Sequence, residues 1–238
     1  MVCATRLIPC LIALPFLAAV CFGSHDNPST SAFAPVAPPQ ALGHVLKLNF
    51  DQVERWCDEN DLASAAQASQ SALVLATFLA HHAADKAKPH AEKLLADCKA
   101  VDSATRAKNM PNTRAQLTAA NTVLPTLLQS LSADKPSWTD FKPSGSTRAW
   151  MLLLDGGYAD AKSAEKADDF EAIALTLAEE ANVVAFLKNE PRWRQMAFAV
   201  REVALAAAKE SQQNPTKARQ TLRTIYPRCE SCHRAYQR

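Results

Sequence analysis

Glycine is scarce, with 5 residues in 238. So few cannot supply the turns of a many-stranded sandwich or barrel, nor the phosphate-binding loops of nucleotide folds. Net charge is nearly absent as well, at a formal +2, which argues against a dedicated nucleic-acid binder. Seven cysteines are too few for a disulfide scaffold and too many to ignore, so their positions matter more than their number. What the chain has in quantity is apolar residues, 48% of the total. That excludes disorder as the general state, and repeated alanine-rich runs point to helices. The length allows one large domain or two small ones.

Three cysteines belong to the first segment. Arg6 precedes an apolar run from Leu7 to Phe22, interrupted by Pro9 and Pro15, and the chain then turns polar at Ser24. Residues 1–23 read as a secretory signal peptide with small residues, Cys21 and Gly23, at its end. The run falls short of the roughly 20 apolar residues of a membrane span and carries two prolines. Val20 is bulky for the position before a lipid-modified Cys21. No later segment reads as long enough to span a bilayer, so the expected product is exported to the periplasm with no membrane span after cleavage.

Residues 24–43, rich in Pro, Ser and Ala, read as a flexible leader. Helical spacing then takes over. A short first helix spans Val45 to Cys57. A second runs from Leu62 to His82, a third from Lys88 to Lys108, and a fourth carries Leu117, Ala120, Leu124, Leu127 and Leu131. Residues 134–146, with two prolines and a glycine and no periodicity, read as a linker. Four more patterns follow at 147–165, 169–188, 191–210 and 215–236. The halves echo each other: Asp61, Leu62 and Phe78 recur 108 residues later as Asp169, Phe170 and Phe186, while Asn112, Val123 and Pro125 recur 102 later as Asn214, Ile225 and Pro227. The expectation is an all-α chain of two antiparallel four-helix bundle units in tandem, 44–133 and 147–238.

The chemistry lies in the last helix. Ala218, Leu222, Ile225, Cys229, Cys232 and Tyr236 recur every three or four residues, placing both cysteines on one apolar stripe. There the chain reads Cys229-Glu230-Ser231-Cys232-His233, the pentad that attaches a c-type haem. Two thiols about one helical turn apart reach the two vinyl groups on one porphyrin edge, and the adjacent histidine offers an imidazole nitrogen to the iron. A structural zinc site needs a fourth ligand, and none stands near in sequence. A thioredoxin-type pair needs a strand-to-helix context, and a disulfide between residues three apart in a helix is geometrically awkward.

A haem pentad at the end of a four-helix unit, with Tyr236 three residues after the histidine, resembles the class II cytochromes c, the cytochrome c-prime family. The resemblance covers about 146–238 well and 44–133 only as a degenerate copy. It implies one covalent haem c on Cys229 and Cys232, His233 as proximal iron ligand, and Arg148 as partner of a haem propionate. Where the family often has a basic residue four places after the histidine, this chain has Gln237. In the family a distal methionine gives an electron carrier, whereas a noncoordinating apolar residue leaves room for nitric oxide or carbon monoxide. Met151 is the sulfur candidate here, and Leu152 stands where the family's usual spacing places the distal residue. The function implied is one-electron transfer, with small-gas binding as the alternative; the partners are accordingly a redox protein or a gas, and pairing of two copies is open. No enzyme is expected, since a peroxidase needs a polar distal acid/base pair and 148–158 offers only Asp155. A haem-free helical interaction module is the remaining alternative.

The first half lacks the pentad: Leu127 to Leu131 fill the matching stretch. Its Cys57 and Cys98 read equally as a disulfide or as two buried thiols. His44, His81, His82 and His90 read as solvated helix ends, and the tryptophans as core or linker packing. Six basic residues between Asn214 and Arg238 stand against Glu230 alone, a face suited to the propionates or to an acidic partner.

Overall fold

In a computed structural model of the chain, the described residues are 33–131, 143 and 146–236. Residues 1–23, read above as a signal peptide, the start of the expected leader, Trp138 with nearly all of the expected linker 134–146, Gln237 and Arg238 lie outside them. The described residues are all-α, with nine helices and no strand: α1 Pro39–Asp58, α2 Leu62–His82, α3 Lys88–Arg106, α4 Met110–Ser130, α5 Thr147–Ser163, α6 Ala167–Val184, α7 Pro191–Glu210, α8 Pro215–Arg223 and α9 Ile225–Tyr236.

Short links turn each helix back on the last, and the residues at the turns explain the stops. Asn60 and Lys108 take the left-handed conformation, φ 58° and 57°. Asp61 N–H then reaches back to Trp56 O at 2.8 Å, and Asn109 N–H to Ala104 O at 2.9 Å, a Schellman closure in each case. The residue completing each closure also starts the next helix: Asp61 accepts from Ser64 N–H at 3.1 Å, and Asn109 from Asn112 N–H at 3.2 Å. Ser146 caps α5 and Asn214 caps α8 in the same way, satisfying donors the first turn leaves open.

Helices α1 to α4 pack in sequence order, and α1 closes on α4. That closure is tight: a Cβ on Gly43 would meet Leu128 Cδ2 at 2.5 Å. Helix α6 packs between α5 and α7 and also against α1, while α7 carries α8 and α9. One core runs from Phe33 to Ile225 without a break, joined where Phe78 of α2 stacks on Trp150 of α5 at 6.1 Å between centroids.

Several expectations need correction. The leader does not stay loose to residue 43: α1 begins at Pro39, whose fixed φ and missing N–H suit a first helical position. Ahead of it Phe33 and Ala37 are buried. Glu179 of α6 accepts from Val36 N–H at 2.5 Å and Ala37 N–H at 2.7 Å, and Asn182 donates to Ala34 O at 2.9 Å. The helix expected over 215–236 is two, broken at Thr224, because Pro227 has no N–H for the carbonyl four residues back and its ring clashes there. His82 is buried rather than solvated. Cys57 and Cys98 are buried free thiols. Helix α2 is long and apolar enough to cross a membrane, yet it is packed between α1 and α3.

The paired helices of the two halves start 105 residues apart at α2 and α6 (62 and 167) and at α4 and α8 (110 and 215). This lies between the two offsets of the sequence echo. Gly156 and Gly157 fall inside α5.

Candidate functional site

Helix α9 sets the pentad on a short rod. Ile225 at its start is buried, and Pro227 in its first turn costs no hydrogen bond. Tyr236 at its end meets the edge of Trp193 at 5.1 Å between centroids. The Lys188 ammonium covers both rings, at 4.5 and 4.9 Å from their centroids. Trp193 is itself fixed by donating from Nε1 to Val184 O at 2.7 Å. The rod is therefore held on α7 by an aromatic cluster.

On the side away from that cluster, Cys229 and His233, four residues apart and so on one face, line a cleft of about 540 Å³. Tyr226, Glu230 and Arg234 complete this wall, and Asp155 and Tyr158 of α5 form the other. The first and last helices of the N-terminal half close on each other through Gly43 and Leu128, whereas this cleft separates their counterparts α5 and α9. Cys232 lies round the helix toward Lys188, half-buried.

Burial, helped by Asp155 and the neighbouring Cys232, pushes the Cys229 thiol up to about 11. Burial also raises Cys232, against the opposing pull of Lys188. Both are kept as thiols at neutral pH, the reverse of the lowered values a thioredoxin-type pair needs. Burial raises Tyr158 too, with Cys229 adding to the effect and Arg223 opposing it. Among the described residues no three His, Cys, Asp or Glu side chains converge as a metal cage, so the donor set does not suit zinc.

Asp155 acts on Cys229, and the helices run antiparallel, so one turn along Met151 falls level with His233 and Arg148 level with Tyr236. Met151 is half-buried against the core and is not among the side chains lining the cleft. Arg148 is exposed at the second position of α5. Leu152 is 52% exposed and Tyr226 56%, the most open large apolar side chains among the described residues. Of the basic residues, Lys217 pairs with Glu210 at 2.6 Å, Arg219 donates to Ala164 O at 2.6 Å, and Arg234 stands 3.8 Å from Glu230. The first two are therefore engaged in packing α8.

Sequence spacing brought out Cys229, Cys232 and His233, but not Tyr158 or Tyr226 as cleft walls. Tyr226 and His233 lie seven residues apart, two turns on one face, and Asp155 and Tyr158 lie three apart. That spacing was readable, but which face of α5 meets α9 was not. The chain matches no known family model, no curated protein and no solved structure.

Proposed function

We propose that this chain is an exported c-type cytochrome of the class II kind, carrying one covalent haem between α5 and α9 and passing single electrons. The observation that carries the reading is the pentad at the cleft, with Cys229 and His233 on one wall and the first helix of the same half standing off. The donor set fits haem c: two neutral thiols, an imidazole in the next position, and the open Tyr226 ring on the cleft wall for a flat ring to cover.

Haem bound there supplies a ferric/ferrous one-electron couple. The chain's own part is to hold and tune it. Cys229 and Cys232 would hold it through thioethers, each S–H adding across a vinyl group with sulfur to one carbon and hydrogen to the other. His233 offers a ring nitrogen to the metal, and its position after Cys232 on a rod fixed by Trp193 and Tyr236 limits its movement. Arg148, with Arg223 of α8 and Arg228 of α9, would meet propionates or an acidic partner. The exposed rim at Tyr226, Glu230 and Arg234 leaves an edge of the group within a partner's reach. Attachment of this kind belongs outside the cytoplasm, in keeping with the signal-like residues 1–23.

A second reading, binding of nitric oxide or carbon monoxide at a five-coordinate iron, is favoured by one observation: Asp155 and Tyr158, not Met151, face the cleft. Absorption spectra of the ferrous protein before and after carbon monoxide separate the two. Electron transfer with Met151 as ligand predicts a c-type spectrum indifferent to the gas and altered by Met151→Leu. A strong gas-induced shift, unchanged by Met151→Leu, establishes the second reading instead. Absence of covalent haem overturns both.

A further inference from the structure

A second cavity, of about 230 Å³, lies where α1, α2, α5 and α6 meet, and nothing in the haem reading uses it. Its floor is Glu180, buried to 5% exposure, whose Oε2 has no hydrogen-bond partner among the described residues; nor has Thr176 Oγ1 one turn earlier. A buried acceptor left without a donor costs on the order of 1–3 kcal/mol, so a group supplying donors is expected there. Asp160 of α5 lines the same space. Opposite Glu180 the wall is bare backbone: a Cβ on Gly157 would come within 3.2 Å of Glu180 Oε2, and one on Gly156 would meet nothing closer than Gln67 Nε2 at 3.9 Å. The two glycines thus hold the cavity open, at a propensity cost of about 1 kcal/mol each relative to alanine.

The chemistry of the walls narrows the occupant. Among the described residues no lysine or arginine lines the cavity, so its walls offer an anion no cationic partner. The described residues offer no three-ligand metal cage. Leu75, Leu153, Ile173 and the Trp56 ring provide apolar wall for a short methylene body, and Trp rings hold cations well. We propose that this cavity binds a small alkylammonium ion, with Glu180 as its counter-ion and Asp160 and Thr176 completing its hydrogen bonds.

Burial and the nearby Asp160 drive the Glu180 carboxyl well above the usual carboxylate range, which favours its protonated form when the cavity holds no cation. Asp160 is itself raised by burial, while Gln52 and Arg55 oppose this. The charged or titratable groups facing Glu180 are therefore Asp160 from α5 and, behind it, Arg55 from α1. Helix α2 contributes no charged side chain to the lining, only Ser64, Gln67, Ala68, Ser71 and Leu75. When the ammonium ion enters, the Glu180 proton passes to the buffer and the carboxylate pairs with the cation.

The test is calorimetric titration of the full chain with 1,4-diaminobutane at 0.15 M salt, in two buffers of different ionisation heat. Butane-1,4-diol serves as the neutral control of matched size. Expected are saturable binding of one diamine, heats that differ between buffers by the released proton, and no saturation with the diol. Glu180→Gln weakens diamine binding at least tenfold. Gly156→Ala, whose added methyl has space in the folded chain, also weakens it by narrowing the cavity, and keeps the helical circular dichroism of the parent. Absence of saturable diamine heat, equal binding of diol and diamine, or undiminished binding by Glu180→Gln would overturn the proposal. None of these outcomes depends on haem.

Discussion

Four cysteines follow the signal-like segment, and their surroundings divide them. Burial, with Asp97 adding, pushes the Cys98 thiol up to about 12, and burial also raises Cys57; neither borders the cleft. Cys229 and Cys232 are both half-buried, Cys229 on the cleft wall and Cys232 round the helix toward Lys188. With haem attached, the denatured chain from residue 24 onward is expected to expose two titratable thiols. None would mean that Cys57 and Cys98 are bridged. Glu180 carries a second prediction. Because its folded pKa lies above the unfolded one, its contribution is full at pH below the unfolded value and is lost as pH rises toward the folded value. Glu180→Gln should flatten that decline and raise the thermal midpoint at neutral pH. A variant with the parent's pH dependence would contradict the assignment. This buried acid was not legible from sequence, since its neighbours in α6 read as an ordinary apolar stripe and its burial is set by helices distant in sequence.

At the scale of elements, the helices were legible because alanine-rich runs end at residues with local reasons to end them. Asp61, Asn109, Ser146 and Asn214 are the side-chain caps at four of the helix starts. Replacing Asn214 by alanine should cost about 1 kcal/mol, read as a lower midpoint in chemical denaturation. Lys108 is the opposite case, a non-glycine residue in the left-handed region. Lys108→Gly should stabilise by up to about 1 kcal/mol, and a loss of stability would contradict the closure described for that turn. The break at Thr224 was also readable, from Pro227, but the continuous apolar stripe across it favoured a single helix. The start of α1 was hidden because prolines that mark a loose leader also mark a helix start, and only tertiary contact with Glu179 decides between them.

Across the whole molecule, what the sequence could not express is how far the halves share a core. A linker-like stretch and an echo of about 105 residues suggest two separate units, while the described residues pack as one, through Phe78 with Trp150 and Glu179 with Val36 and Ala37. Glu179→Ala removes an acceptor from two backbone donors, one of them fully buried, and is expected to cost roughly 2–4 kcal/mol. It should do so for both halves together, as one shifted unfolding transition followed by tryptophan fluorescence and by circular dichroism. Two separated transitions would show halves that unfold independently. The contrast between the halves has the same origin: leucines close α1 on α4, whereas α5 and α9 stand apart around the pentad.

The central claim is that this cleft holds a covalent haem, and the most direct measurement is the intact mass of the denatured chain after export from a cell able to attach haem c. The account predicts the mass of the processed chain plus one haem, lost in a Cys229→Ser, Cys232→Ser double variant that remains helical. A chain exported without added haem mass, with both thiols free, would contradict it.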